Sequence, residues 1–221
     1  MSEIPIEVIP TVVPASLADI EAAAKKYAGF ARVLHVDFAD GVFAPNTTWL
    51  PEESASAFHA GDMVLEAHLM VADPLPVGLA LARGGFARII GHVEAGMSLE
   101  TIAAWKKVGA AEAGIAILAQ TPIESIDPFV VSCDFAMMMT IQKIGVQGLP
   151  FDEYAPERVG ALHLRHPDLP IEVDGSVNQE TIAPLSKAGA RRFCAGSVLS
   201  KNGDPASTYR QLLALAQSAV E

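Results

Sequence analysis

Two cysteines in 221 residues, Cys133 and Cys194, are too few for a disulfide framework. Each lies in or beside an apolar run, so both are expected as buried, reduced thiols. No apolar run approaches the roughly 20 residues that a membrane-spanning helix requires. Basic residues are scarce, 15 Lys and Arg against 26 Asp and Glu, and the resulting charge of −11 argues against nucleic acid or an anionic membrane as the main partner. A small anion escapes that exclusion, because backbone N–H groups can hold it locally. The opening Met1-Ser2-Glu3-Ile4-Pro5 lacks a basic segment followed by a long apolar one, so a cytoplasmic location is expected.

Aromatic residues are only 6% of a chain that is 51% hydrophobic, which implies an aliphatic core of the kind that buries parallel strands between amphipathic helices. Strand-like runs fall at 6–13, 32–38, 64–70, 88–93, 114–118, 135–141, 170–174 and 192–195. Helical spacing appears between them at 16–27, 76–83, 99–108, 151–163, 180–188 and 206–219. Glycines follow several of these helices, and Asn178 stands where a helix N-cap belongs. The alternation reads as α/β, a single (β/α)8 TIM barrel over residues 1–221, with an open doubly wound sheet as the alternative.

His35-Val36-Asp37 closes the second of these strands, and residues two apart on a strand share a face. His68 and Asp174 close the third and seventh. In a barrel, strand C-terminal ends carry the active site. Two imidazoles and two carboxylates there are a ligand set for one divalent metal (Zn, Fe, Mn or Co), against the bland reading of four separate polar strand ends. Asp37 and Asp174 reach that centre from different strands, so one can take a proton from one face of a carbon while the other delivers a proton to the opposite face. Gly175 after strand seven and Gly196-Ser197 after strand eight suit a phosphate cradle. His92 either lines the site or is structural; His59, His163 and His166 are expected in solvent. The methionines 70 and 137–139 read as core, with Met70 and Met139 also placed to cover a planar intermediate.

With these residues in place, the chain resembles the ribulose-phosphate 3-epimerase family. The resemblance is carried by Leu34-His35-Val36-Asp37-Phe38-Ala39-Asp40-Gly41 with Pro45-Asn46, and by Ala67-His68-Leu69-Met70-Val71 with Asp73-Pro74. Further along it rests on His92-Val93-Glu94, Ala116-Ile117-Leu118 with Thr121-Pro122, Val173-Asp174-Gly175 with Val177-Asn178, and Ala195-Gly196-Ser197. It implies a metal held by His35, Asp37, His68 and Asp174, with Asp37 and Asp174 as the acid/base pair beside a ketone. It implies a sugar-phosphate substrate contacted by Met70, Met139, Gly145, Gly148, Gly175, Ser176, Gly196 and Ser197, and a homo-oligomer.

Three positions depart from the family pattern. Pro14 stands where a serine near the substrate is expected, and Ala39 where a methionine is expected, which leaves a wider or differently shaped pocket. The loop after strand six reads Gln142-Lys143-Ile144-Gly145-Val146-Gln147-Gly148 rather than the family's Asn-Pro-Gly-Phe-Gly-Gly-Gln. The expected reaction is epimerisation of a ketose phosphate. The alternatives are a related sugar-phosphate lyase or decarboxylase and a non-catalytic sugar-phosphate-binding paralogue.

Overall fold

A computed structural model describes residues 4–51, 57–58, 60–145 and 148–220. Eight strands pair in parallel in chain order and close on themselves: β1 (Glu7–Val12), β2 (Val33–Ala39), β3 (Val64–Met70), β4 (Arg88–His92), β5 (Glu112–Ile117), β6 (Phe135–Met139), β7 (Ile171–Asp174) and β8 (Arg192–Ala195). Around them lie α1 (Leu17–Tyr27), α2 (Pro74–Arg83), α3 (Leu99–Val108), α4 (Ala155–Arg165), α5 (Ile182–Ala188), α6 (Ser197–Ser200) and α7 (Pro205–Ser218). The closed barrel decides against the open sheet. Among the described residues no helix is long and apolar enough to cross a membrane.

Local chemistry sets the helix boundaries. Asp19 accepts the N–H groups of Ala15 and Ser16 at the start of α1, Ser98 accepts Thr101 N–H in α3, and Asp204 accepts Ser207 N–H in α7. The Asn178 side chain accepts from Glu180 and Thr181 N–H, as its position suggested, and α5 proper begins at Ile182. Two helix expectations fail. Helix α4 begins at Ala155 rather than 151, because Asp152 is engaged in closing the preceding loop: it accepts Tyr154 N–H and the Gln142 amide, while its own N–H goes to the Thr140 carbonyl. The βα repeat is also not eightfold. The described residues between β2 and β3 form no helix, and β5 is followed by a 3-10 helix over Ile123–Phe129 that contains Pro128.

Two apolar regions follow from the period-2 strands. Outward residues such as Leu34, Val36, Phe38, Leu65, Leu69, Ile89 and Val173 pack under the helices. Ile90, Ala116, Phe135 and Met137 form a second cluster in the barrel interior, which runs up through Met139, Met70 and Ile141 to the site and includes Ile144. Where α2 meets α3, the buried Trp105 indole N–H donates to the Leu75 carbonyl, and the ring lies against Gly78. A Cβ at position 78 would come within 2.2 Å of the indole nitrogen. We therefore expect Gly78→Ala to destabilise the fold by about 1–3 kcal/mol through overpacking, despite alanine's better helix propensity. Urea unfolding followed by Trp fluorescence checks this: the midpoint falls with an unchanged slope.

Candidate active site

Strand register brings the four expected donors together. His35 of β2 pairs with Glu66 of β3, Asp37 with His68, and Met139 of β6 with Asp174 of β7. His68 Nδ1 lies 3.0 Å from Asp37 Oδ1 and 3.7 Å from Asp174 Oδ2, and His35 Nε2 lies 3.4 Å from Asp37 Oδ1. One donor atom from each of the four residues falls within 4.8 Å of the other three. Both histidines are fully buried, and His35 Nε2 has no hydrogen-bond partner there. An unpartnered imidazole nitrogen aimed at two carboxylates and a second imidazole fits a divalent cation.

The outer nitrogens are anchored. His35 Nδ1 meets Glu66 Oε1 at 2.8 Å, and His68 Nε2 meets His92 Nε2 at 2.8 Å. Beneath them the barrel interior is charged. Glu66 and Glu172 are completely buried, Arg88 bridges Glu7 and Glu66, and Arg192 reaches Glu112 at 2.8 Å while lying over the Phe135 ring. Cys194 Sγ sits 3.3 Å from Glu172 Oε1 and 3.4 Å from His35 Nδ1. Both cysteines are free and buried, as expected.

This environment separates the carboxylates. Burial works to raise the Asp37 carboxyl, but hydrogen bonds and charge from His35 and His68 outweigh it and hold the group well below the usual range. Burial, reinforced by the Asp37 charge, pushes Asp174 up to about 7. Glu172 rises to about 8 through burial and the charge of Glu66. Burial opposes protonation of His35, yet Cys194, Asp37 and Glu66 raise it well above the ordinary imidazole value. His68 falls to about 4, chiefly through burial.

Asp37 and Asp174 line the floor of an open cleft, with His35 and His68 packed behind them. Met70 and Met139 line it, as do Gly145, Gly148, Gly175, Ser176, Gly196 and Ser197, so every residue expected at the substrate reaches it. Thr140 donates to the carbonyls of Asp174 and Gly175, while the carbonyl of Ser176 accepts from Asn178 and Thr181 and its hydroxyl goes to Leu149. These bonds pin the turn and hold Ser176 at φ +53°, a conformation uncommon outside glycine. Gly145 is required by close approach: a Cβ there would come within 2.0 Å of Asn46 Oδ1, a buried oxygen with no hydrogen-bond partner among the described residues.

Other expectations are corrected. Pro14 is buried and does not line the cleft; its carbonyl accepts Trp49 N–H, and Thr11 and Val13 face the cleft instead. Ala39 is fully buried in a cluster with Met70, Ala44, Ile141 and Ile144 and does not itself line the cleft. Lys143 is exposed and away from the cleft lining. His166 is paired with Asp127 rather than simply solvated, and the His163 ring lies against Gly189; His59, Val146 and Gln147 lie outside the described residues. Thr11, Asn46 and Cys194 line the site without having been singled out for it. Strand alternation (Thr11 after Ile9, Cys194 after Arg192) was the signal that pointed inward for two of them.

Comparison with known proteins agrees with this geometry. Residues 7–200 match the family model described as ribulose-phosphate 3 epimerase family. A ribulose-phosphate 3-epimerase of Chlamydia muridarum (strain MoPn / Nigg) is 29% identical over 204 residues, covering 88% of each chain. One from Chlamydia pneumoniae is 32% identical over 200 residues, covering 86% of each. In fold alone, the chain is similar to KGPDC from Streptococcus mutans in complex with D-R5P, with a TM-score of 0.70 at 14% identity, covering 99% of this chain and 100% of that one. On the strength of the family match and these relatives, the chain belongs to the ribulose-phosphate 3-epimerase family, within the isomerase class of enzymes.

Proposed function

We propose that the protein inverts the carbon next to the ketone of a ketose phosphate, by two-carboxylate proton transfer between Asp37 and Asp174. The convergence of four donor atoms within 4.8 Å at the floor of a cleft ringed by Gly145, Gly148, Gly175, Ser176, Gly196 and Ser197 carries this reading. His35 through Nε2, His68 through Nδ1, Asp37 and Asp174 would hold one divalent cation (Zn, Fe, Mn or Co). When bound, the metal would neutralise negative charge developing on the substrate's oxygens.

The chain's own residues do the rest. Asp37, kept ionised by two imidazoles, takes the proton from the carbon beside the ketone, and the C–H electrons move into the carbonyl to give an enediolate. Asp174, the more basic of the two carboxyls, is the acid that returns a proton to the opposite face, and the roles exchange in the reverse direction. Met70 and Met139 cover the planar intermediate and limit access of water. No Lys or Arg lines the cleft among the described residues, so the phosphate would rest on backbone N–H groups at Gly145, Gly148, Gly175, Ser176, Gly196 and Ser197. The pentulose pair ribulose 5-phosphate and xylulose 5-phosphate heads the substrate list, with hexulose 6-phosphates second.

Asp37→Asn and Asp174→Asn should each lower kcat by about 10²–10⁴-fold at matched metal content. They should also suppress incorporation of solvent deuterium beside the carbonyl, followed by NMR on ketose 5- and 6-phosphates. Exchange at the wild-type rate in both variants would refute the two-carboxylate mechanism, and a product with fewer carbons would point to a lyase instead.

Metal uptake should depend on pH. Asp174 binds its proton up to about pH 7, and His35 carries one at neutral pH, so a cation must displace protons from both. Affinity therefore rises with pH through this range. Calorimetry in buffers of different ionisation enthalpy should find at least one proton released per metal at pH 6, and fewer at pH 8.

A further inference from the structure

His92 lies outside the cleft lining, yet its Nε2 is 2.8 Å from His68 Nε2, and its Nδ1 is 3.4 Å from Glu94 Oε2. Glu94 is fixed from the far side, where its Oε1 accepts Leu118 N–H at 2.9 Å and the Thr121 hydroxyl. The carbonyls of those same two residues accept from Arg158 of α4, which ties this loop to the helix behind it. The Phe43 ring packs against His92 at 5.1 Å between centroids. Two buried imidazoles facing each other through Nε2 at 2.8 Å need one proton between them, and it can sit on either ring.

The two arrangements differ in cost. If His92 Nε2 carries the proton, then neutral His92 turns a bare, shielded Nδ1 toward the Glu94 carboxylate, acceptor facing acceptor at 3.4 Å. His68 must then hold its own proton on Nδ1, the nitrogen that faces Asp37. If His68 Nε2 carries the proton, His92 has its proton on Nδ1, which faces the Glu94 carboxylate at 3.4 Å, outside hydrogen-bond geometry but with charge and N–H dipole matched. His68 Nδ1 is then a bare lone pair turned toward Asp37 and Asp174.

We propose that Glu94 and His92 are positioning residues that hold the His68 proton on Nε2, so that Nδ1 is presented unprotonated to a cation between Asp37 and Asp174. This rests on the metal reading above. It extends the site's support from the barrel floor, where Glu66 orients His35, to the loop after β5.

Glu94→Gln makes the sharpest test. Its side-chain oxygen keeps the Leu118 and Thr121 bonds and turns the amide NH2 toward His92 Nδ1, reversing the proton order along the chain. In metal-free protein, 15N NMR should show His68 protonated on Nε2 in the wild type and on Nδ1 in Glu94→Gln. Co²⁺ and Zn²⁺ affinity, read by competition titration, should fall about 10–100-fold in Glu94→Gln and His92→Phe, with His92→Gln recovering much of the loss through its side-chain oxygen. Wild-type affinity in both Glu94→Gln and His92→Phe, with His68 protonated on Nε2 in Glu94→Gln, would overturn the proposal. A wild type that binds neither ion would sink the metal reading alone, and the NMR comparison would still decide the proton order. Glu94 lies at the surface, so Glu94→Gln carries the test if His92→Phe does not fold.

Discussion

A closed eight-stranded barrel turns every second strand residue into a space with little room for water, and in this protein that space is filled with charge. The rest of the site depends on how the charges are matched. At the bottom, Glu7, Arg88, Glu112 and Arg192 form mutual ion pairs. One layer up, Glu66 and Glu172 are buried with His35 and Cys194, and only part of their negative charge is answered by the two arginines. Asp37, Asp174 and His68 close the stack. A buried carboxylate without a partner is costly, so the excess is relieved by protons on Glu172, His35 and Asp174. A cation at the mouth would take the place of some of those protons, because both answer the same deficit.

This column also explains why the two aspartates differ while sharing a site. Asp37 stands between two imidazoles and stays ionised; Asp174 meets that settled charge and holds its proton into the neutral range. Their contrast comes from the neighbours that register supplies, since each ends a strand of the same sheet. The parallel pairing of β2 with β3 sets Asp37 beside His68, and a slip of one residue would turn both to the outer face.

The barrel and its donors were legible in the sequence because both obey the period of a strand: His35 and Asp37 are two apart, and apolar runs separated by helical spacing leave few other folds. Reading Glu66, Glu172 and Glu112 was harder. The first two passed as minor interruptions of apolar runs, and β5 was expected to begin at Gly114, whereas Glu112 is its first residue and pairs with Arg192 across the barrel floor. An inward polar residue looks like a surface one until its partner, some eighty residues away, is known. The departure at Pro14 was judged by alignment position, and in the folded chain Pro14 does not face the cleft, whereas Thr11 and Val13 do.

The loop after β6 is closed at its neck. Gln142 donates to Asp152, Asp152 N–H returns to the Thr140 carbonyl, and only then does the chain enter α4. The clasp fixes both ends of the span, so a change of length inside it costs little loop entropy before it reaches the strand that carries Met139 or the helix that follows. Three points tie the span to the barrel: Ile144 packs against Met70, Gly145 has no room for a side chain, and the Leu149 carbonyl holds Ser176. A change in the enclosed residues away from those three points would therefore reshape the cleft's rim while leaving the strand ends that carry Asp37, His68 and Asp174 where the barrel puts them.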